Sequence, residues 1–380
     1  MKHALIISLL FGCKQSDSSP GQEADRWPID PNTGLRIASI PPLPILEEWE
    51  DNQSTEERRR LGQAVFNDPR LSGSGLTACT TCHLPQAEAF HSANVVDLPD
   101  RSWPEAGPAL ARNTPSLINQ VYADTFHWDG RPADRYEVWV MPFGEPQMNL
   151  TDIPYGDVWT TDDPTAQIQL KERFTQTAPG YIDWFMDAYD VDIREESPEA
   201  IWELTGKAIA IYMRNVVSRN APFDRWNEGD DEAMGAQAIR GAELFIGKAG
   251  CINCHYGPLL SDFQYHNLSR LQYDDSGEVV DPGRARITGE SEDLGKFLTP
   301  MLRSVSKGSP FLHDGSIAGL KDVVRHLTNG DAQIDPNHSP LLDFVSPLSE
   351  DELDDVVAFL VALNGEPIPR EHLTLSPELP

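Results

Sequence analysis

Two copies of the pentapeptide Cys-x-x-Cys-His constrain this chain more than any other feature of its sequence. They occupy residues 79–83 and 251–255 and use four of the five cysteines. Two thiols one helical turn apart can form thioethers with the two vinyl groups of one haem, while the adjacent histidine supplies the proximal iron ligand. The sequence therefore predicts two covalently bound c-type haems, one on Cys79, Cys82 and His83 and the other on Cys251, Cys254 and His255.

Paired Cys-x-x-Cys motifs also build zinc sites and thiol–disulfide sites. Zinc-ribbon ligand pairs normally lie roughly 15 to 20 residues apart, whereas Cys251 follows Cys79 by 172 positions. A thioredoxin-like motif requires a βαβ context, which neither motif shows. Neither alternative explains the histidine that follows each second cysteine.

The fifth cysteine, Cys13, ends a short apolar segment that follows Lys2. This segment is typical of a signal peptide over residues 1–12 and is too short to span a membrane. Because residues 10–13 resemble the bacterial lipoprotein signal, we expect a lipidated Cys13, a flexible tether over residues 13–37 and a periplasmic location. A plain secretory signal is the alternative.

The chain is strongly acidic, with a formal net charge of −30. Such a charge argues against nucleic acid as a partner. It permits electrostatic steering of a basic partner such as a small cytochrome c, although solubility alone is an alternative explanation. Membrane contact is expected only through the lipid anchor.

Each haem motif follows a similar segment in which a glycine precedes a phenylalanine by four positions, at Gly62 and Phe66 and at Gly241 and Phe245. A capping box at Ser54 predicts a helix before the first motif. Amphipathic helices that open at residues 197 and 349 close the two units. A helix before the motif and another at the end is the layout of small class I cytochromes c.

We therefore expect a mainly α fold of two cytochrome c-like domains with long irregular loops. The predicted first domain covers residues 38–226, the second covers residues 227–368, and a tail follows over residues 369–380.

Four further motifs extend the pattern, at residues 112–117, 126–131, 221–226 and 309–316. Together with the haem motifs, and over nearly the whole chain from about Leu61 to Gly365, they resemble the bacterial di-haem cytochrome c peroxidases and the related MauG-type enzymes. The resemblance implies that hydrogen peroxide meets the haem of His83 and that the haem of His255 stores and relays electrons.

The resemblance also implies two features between the haems. Trp128 is expected to be the electron bridge, with a packed core aromatic as the alternative. A calcium ion is expected on the side chain of Asn113 and the carbonyl oxygens of Gly308 and Pro310. Capping of a following helix is the alternative role for Asn113.

The chain departs from the family at the sixth ligand of the second haem. The family's Met or Tyr falls on Leu327, which cannot ligate iron. The haem is then either five-coordinate or bound by a substitute, His326 or Met301. On a helix, His326 would point about 100° away from the position of Leu327, and we interpret it as a residue of a solvated helix face.

The second departure lies in the peroxide pocket, where the family has a Glu after a Pro-x that moves protons during O–O cleavage. Here Pro146 is followed by Gln147, and gap placement could instead bring Met148 or Asn149 to that position. Glutamine can donate a hydrogen bond but cannot exchange a proton as a carboxylate does. Glu145 and His127 are therefore further candidate catalytic residues.

The first haem lacks an obvious sixth ligand, since position 99 is proline rather than histidine and His91 is the nearest candidate. An open haem, as in the MauG-type branch, is expected. The sequence thus favours an enzyme that reduces hydrogen peroxide with electrons from a small cytochrome or from a side chain of a partner protein. The alternatives are a di-haem electron-transfer or sensing cytochrome without peroxidase activity, and a structural haem lipoprotein.

Overall fold

The computed structural model describes residues 40–84, 112–131, 134–145, 148–151, 164–273, 275–330, 332, 335, 337–373 and 379–380. The predicted signal peptide and tether, with Cys13, lie outside the described residues, as do His91 and Gln147. Among the helices of the described residues, none combines the length and the apolar composition needed to cross a bilayer.

The described residues are mainly α-helical, as predicted, with one small two-stranded antiparallel sheet. The helices are α1 (Glu56–Asn67), α2 (Cys79–Cys82), α3 (Glu137–Gly144), α4 (Thr165–Glu172), α5 (Tyr181–Tyr189), α6 (Pro198–Met213), α7 (Pro222–Glu228), α8 (Ala236–Ile246), α9 (Ala285–Thr288), α10 (Leu320–Thr328), α11 (Glu350–Ala362) and α12 (Arg370–Leu373). The strands are β1 (Tyr265–Asn267) and β2 (Lys296–Leu298).

The helices surround two hydrophobic cores. The first core contains residues of α1, α3, α4, α5 and α6, and the second contains residues of α7, α8, α10 and α11. The boundary predicted between residues 226 and 227 lies inside α7, whose Phe223 and Trp226 belong to the second core.

One helix crossing recurs in both cores and explains the repeated glycine. In the first core α1 packs against α6, and a Cβ atom on Gly62 would lie 2.0 Å from the backbone oxygen of Ala208. In the second core α8 packs against α11, and a Cβ atom on Gly241 would lie 1.9 Å from the backbone oxygen of Asp355. Both distances are far below van der Waals contact, so only glycine allows the helices to approach this closely.

The helix starts follow the expected capping chemistry with one correction. The N-cap of α1 is Thr55, whose side chain accepts a hydrogen bond from the backbone N–H of Arg58, and not Ser54. The backbone N–H of Ser54 instead donates to the Glu48 carboxylate at 2.9 Å, which places Ser54 outside the helix. The capping box predicted at Ser349 is confirmed.

The N-terminal described segment crosses from the second core to the first. Ile40 is buried in the second core, and its carbonyl accepts a hydrogen bond from Asn227 at 3.0 Å. Further along the segment, Trp49 packs against the first core and contacts Tyr136 edge to face at 5.7 Å between ring centroids. The segment therefore bridges the two cores.

The described part of the C-terminal segment, which the sequence assigned to a tail, returns to the first core. The hydroxyl of Tyr212 donates to the carbonyl of His372 at 2.7 Å, and Gln63 donates to the carbonyl of Glu371 at 3.0 Å. The carbonyl of Pro380 accepts from Arg70 at 2.9 Å. The segment that follows α11 therefore bridges the two cores as well, in addition to the N-terminal segment.

Candidate haem sites

The first Cys-x-x-Cys-His motif forms a single helical turn against the first core. Cys79 and Cys82 are the ends of α2, both are free thiols, and the backbone N–H of His83 donates to the carbonyl of Cys79 at 2.8 Å. Burial raises the pKa of Cys79 to about 12 and that of Cys82 to about 11. Burial thus favours the neutral thiol form of both cysteines.

The second motif shows how its histidine is oriented. Cys251 begins a 3₁₀ turn, and Nδ1 of His255 lies 2.8 Å from the backbone oxygen of Leu260. A carbonyl oxygen can only accept, so Nδ1 carries the proton and Nε2 keeps its lone pair for a metal. The residues therefore fit a haem whose iron is bound by His255.

The two motifs also share an aromatic neighbour from the preceding helix. Phe66 of α1 lies 6.4 Å from His83 between ring centroids, and Phe245 of α8 lies 6.5 Å from His255. Both phenylalanines are fully buried. The repeated Gly and Phe positions thus place the same helix crossing and the same ring beside each predicted proximal ligand.

A cluster that sequence reasoning missed lies beside the second motif. The cluster contains three possible ligand atoms, one each from Cys254, Asp262 and His266, which lie within 4.8 Å of one another. His266 Nε2 is 3.0 Å from the Asp262 carboxylate, and Nδ1 is 3.0 Å from the hydroxyl of Ser339. Haem attachment would convert the thiol of Cys254 to a thioether and remove it from this ligand set, so the cluster fits the predicted haem site better than a separate metal site.

A cavity of about 860 Å³ lies against the first motif. It is lined by residues of the motif, of the 126–131 segment and of the second half of the chain, including Cys79, Cys82, His83, Asn113, His127, Trp128, Arg131, Glu145, Met148, Met301, Gly308 and Pro310. The cavity brings together His127 and Glu145 of the predicted peroxide pocket with the residues predicted for the electron bridge and the calcium site.

Trp128 lies where the two halves of the chain meet. Its indole Nε1 donates to the backbone oxygen of Asn113 at 2.8 Å, and its own carbonyl accepts from the backbone N–H of Leu298 at 2.8 Å. Its ring contacts His313 edge to face at 6.5 Å between centroids, and His313 stacks on Phe297 at 3.4 Å. Trp128 is half-buried and lines the cavity, and its role as the electron bridge stays a prediction.

Two of the residues predicted to bind calcium, Asn113 and Pro310, are in contact, and their role as ligands stays a prediction. The side-chain amide nitrogen of Asn113 lies 2.7 Å from the carbonyl oxygen of Pro310 and 3.1 Å from that of Leu312. Rotation of the amide by a half-turn places its oxygen beside two carbonyl oxygens, a donor set that suits Ca²⁺. The alternative role of Asn113 as a helix cap is wrong, because the next helical turn in the described residues begins after Asn119.

Gly308 lines the same cavity, and its calcium role stays a prediction. The carbonyl of Leu312, which sequence reasoning did not select, lies beside the Asn113 amide instead.

The interpretation of His326 as a solvated residue is wrong. Its exposed fraction is 7%, and its Nε2 lies 3.3 Å from the backbone oxygen of Leu268. The reason is tertiary, since α10 is covered on one side by α11 and on another by the segment around Leu268. Met301, the other candidate sixth ligand, lines the cavity at the first motif.

Three charged or polar side chains meet in the cavity beyond Trp128. Arg131 Nη2 lies 3.4 Å from His127 Nδ1. It also lies 3.3 Å from Glu145 Oε1, and this second contact is an ion pair without hydrogen-bond geometry. Burial, with a contribution from Arg131, lowers the pKa of His127 to about 3. Burial raises the pKa of Glu145 above its ordinary value despite the nearby guanidinium.

A half-buried arginine connects this segment to the second half of the chain. Arg112 contacts the Asp129 carboxylate at 2.5 Å and forms two hydrogen bonds to Asp281, at 2.6 and 2.8 Å. Arg284 donates to the carbonyls of Asp129 and Gly130 at 2.9 and 2.6 Å. Sequence reasoning identified neither contact, because the partners are far apart in the chain.

An internal repeat connects the two halves and was also missed. Phe311 follows Phe126 by 185 positions, and the same offset relates Thr299 to Thr114 and Pro300 to Pro115. The backbone repeats too. Three residue pairs at this offset have left-handed φ angles: Asn119 and Ser304 (64° and 61°), His127 and Leu312 (61° and 67°), and Gly130 and Gly315 (62° and 64°).

A self-comparison of the sequence would have found the repeat. In it Trp128 corresponds to His313, and the two rings are in contact.

Comparison with known proteins identifies the class. A family model described as di-haem cytochrome c peroxidase matches residues 56–232. The chain is 34% identical over 332 residues to the methylamine utilization protein MauG of Methylorubrum extorquens, covering 87% of this chain and 83% of that protein. It is 29% identical over 343 residues to cytochrome c551 peroxidase of Pseudomonas aeruginosa, covering 90% of this chain and 88% of that protein.

Among solved structures, a MauG-like protein associated with microbial copper homeostasis matches with a TM-score of 0.67 and 25% identity, covering 89% of this chain and 97% of that chain. The chain therefore belongs to the bacterial family of di-haem cytochrome c peroxidases and MauG proteins. It is a member of an enzyme family, and membership implies two c-type haems.

Proposed function

We propose that this protein is a periplasmic peroxidase in which hydrogen peroxide is reduced at the haem of His83 with electrons relayed through Trp128 from the haem of His255. The overall reaction converts one peroxide, two electrons and two protons to two waters. The haems supply the redox chemistry when bound. The observation that carries the proposal is the position of Trp128, which lines the first-motif cavity and contacts His313 of the other half of the chain.

The surroundings of Trp128 suit an electron bridge. A backbone carbonyl accepts the indole N–H, and a carbonyl oxygen is not a base that removes a proton. The acceptor of the Trp128 N–H is therefore not a strong base, which favours electron transfer through the ring without transfer of the indole proton to this partner.

The pocket residues support proton handling without the family's usual acid. Glu145 is buried, with an exposed fraction of 5%, and lines the cavity together with His127. The raised pKa of Glu145 brings this carboxyl closer to the range in which it can exchange protons with peroxide. Gln147, which lies outside the described residues, is proposed as an additional hydrogen-bond donor.

A calcium ion on Asn113 and Pro310 would stabilise the contact that also holds Trp128. The side chain of Asn113 faces the carbonyl of Pro310, and its backbone carbonyl accepts the Trp128 N–H. Calcium binding would thus hold the Pro310 carbonyl and the Trp128 indole in place through Asn113. Gly308 is proposed as a further carbonyl donor.

The electron donor is proposed to be a small basic cytochrome c or a partner protein that is itself oxidised. The net charge of −30 supports attraction of a basic donor. The name of one relative, cytochrome c551 peroxidase, supports the first class of donor, and the second class rests on the resemblance to MauG-type enzymes. A lipid on Cys13 would keep the protein at a membrane surface in the periplasm.

The replacement Trp128→Phe tests the bridge. Stopped-flow absorbance should show that peroxide still reacts with the haem of His83, while oxidation of the haem of His255 slows at least about tenfold. Trp184→Phe is the control, because Trp184 packs under Arg60 on the outer side of the first core and should leave both rates unchanged. An unchanged rate in Trp128→Phe would overturn the relay, and a wild-type protein inert to peroxide would favour the electron-transfer alternative.

A further inference from the structure

Three buried polar atoms of the first-motif cavity lack a hydrogen-bond partner among the described residues. They are Nε2 of His127, Nε of Arg131 and Oε1 of Glu145. All three side chains line the cavity, and the Glu145 side chain is 7% exposed. Buried polar groups in native proteins are normally satisfied, so a convergent unsatisfied set in a cavity indicates a place for a small polar ligand.

The contact with Arg131 determines the proton position on His127. A guanidinium has only donors, so Nδ1 of His127, 3.4 Å from Arg131 Nη2, must be the accepting nitrogen. In a neutral imidazole the proton then resides on Nε2. Burial and Arg131 lower the pKa of His127 to about 3, so the ring stays neutral at physiological pH. His127 therefore offers the cavity an N–H donor.

The same guanidinium acts on Glu145 from the other side. Arg131 Nη2 lies 3.3 Å from Glu145 Oε1, and the ion pair favours the carboxylate, whereas burial favours the neutral acid. The other charged groups that act on Glu145 are Asp129, Arg112 and Arg286. The three arginines thus oppose the effect of burial on the pKa of Glu145, whereas Asp129 adds to it, and the net pKa is raised.

We propose that Arg131 is a positioning residue that holds His127 as a donor and Glu145 as an acceptor, so that these side chains handle the protons of peroxide in place of the acid that relatives carry near Gln147. The inference deepens the proposed function and rests on peroxide binding in this cavity. His127 Nε2–H donates to one peroxide oxygen, and Glu145 accepts a proton from peroxide.

Glu145 moves one proton within the peroxide molecule, and solvent supplies the two protons that the reaction consumes. Glu145 takes the proton from one oxygen and returns it to the other, which leaves as water when the O–O bond breaks. The remaining oxygen takes two electrons from the donor and two protons from solvent to give the second water. Arg131 neither gains nor loses a proton, which matches its permanent charge.

Cyanide binding to the oxidised protein tests this assignment without peroxide turnover. Hydrogen cyanide must lose a proton as it binds iron, so the second-order rate constant, followed by haem absorbance across pH, reports the pocket base. We expect Glu145→Gln to slow binding at least about tenfold. Arg131→Gln should move the acid limb of the profile upward by about one to two pH units, because the opposing charge beside Glu145 is lost. Arg131→Lys should restore part of that shift.

Arg284→Gln is the matched control. Arg284 also holds the 126–131 segment, through the carbonyls of Asp129 and Gly130, but it contacts neither His127 nor Glu145. We expect its pH profile to match wild type. Equal profiles for Arg131→Gln and Arg284→Gln, or an unchanged rate in Glu145→Gln, would overturn the assignment, provided that haem spectra and circular dichroism show folded variants.

A different result would refute the proposed peroxidase function alone. A wild-type protein that does not turn over peroxide, yet binds cyanide with the predicted dependence on Glu145 and Arg131, would refute the peroxidase reaction and retain the assignment of the pocket residues.

Discussion

Replacing Arg112 by methionine should destabilise the protein more than any change to a surface ion pair. Arg112 neutralises two buried carboxylates at once, Asp129 with no exposed surface and Asp281 with an exposed fraction of 9%. Methionine preserves much of the apolar stem and removes the charge. Breaking a buried pair by removal of one partner typically costs roughly 3–5 kcal/mol, because the other charge stays buried and unpaired. We expect a loss in that range in the free energy of unfolding at pH 7.

The loss should depend on pH in a defined direction. Burial raises the pKa of Asp129 and Asp281, but the contacts with Arg112 outweigh it, and both pKa values are lowered in the folded protein. A carboxyl group with a lowered folded pKa contributes stability above its unfolded pKa of about 3.9 and loses it as pH falls through the folded pKa. In Arg112→Met, protonation relieves the unpaired carboxylates, so the difference from wild type should shrink as the solution is acidified.

Urea unfolding followed by circular dichroism at several pH values measures this difference. Arg194→Met is the control, because Arg194 forms the same kind of two-point contact with Asp192 on the protein surface, where solvent screens the charges. We expect no measurable change for the control. An equal loss in the two variants, or a loss in Arg112→Met that does not diminish toward acid pH, would refute the reasoning.

Two further predictions concern metal ligation. If Asn113 binds calcium, removal of the ion with a chelator should lower the melting temperature of wild type, and Asn113→Ala should abolish the response; an equal response in the variant would exclude this site. Because Nε2 of His326 lies 3.3 Å from the carbonyl of Leu268, we expect His326→Leu to leave the low-temperature EPR spectrum of both haems unchanged. Loss of a low-spin signal in that variant would identify His326 as the sixth ligand, and Met301→Leu provides the parallel measurement for the other candidate.

Hydrogen bonds between residues that are close in the chain could be predicted from the sequence. The capping box at Ser349 was confirmed because its hydrogen bonds join residues three positions apart. At α1 two adjacent residues, Ser54 and Thr55, are both competent caps, and the sequence offers no rule to choose between them. The choice follows from the bond between the Ser54 N–H and Glu48, which belongs to the fold of the preceding segment.

Long-range contacts account for what the sequence did not reveal. His326 has the helical position expected from its spacing, but its burial depends on Leu268, which is 58 residues away in the chain. Arg131 belongs to the 126–131 motif, yet its proposed role depends on the contacts that His127 and Glu145 make with its guanidinium in the folded chain. Spacing predicts which face of a helix a residue occupies, whereas only tertiary structure determines what covers that face.

The internal repeat explains why the proposed electron bridge is a single tryptophan. The two copies place corresponding rings, Trp128 and His313, in contact where the halves of the chain meet. Burial lowers the pKa of His313 to about 4, so its imidazole is neutral at physiological pH, and stacking on Phe297 fixes its plane. A neutral ring does not oppose positive charge on its neighbour, whereas an imidazolium at this distance would disfavour oxidation of Trp128. Divergence at one position of the repeat thus leaves the proposed electron-bridging ring, Trp128, in one copy and a neutral neighbouring ring, His313, in the other.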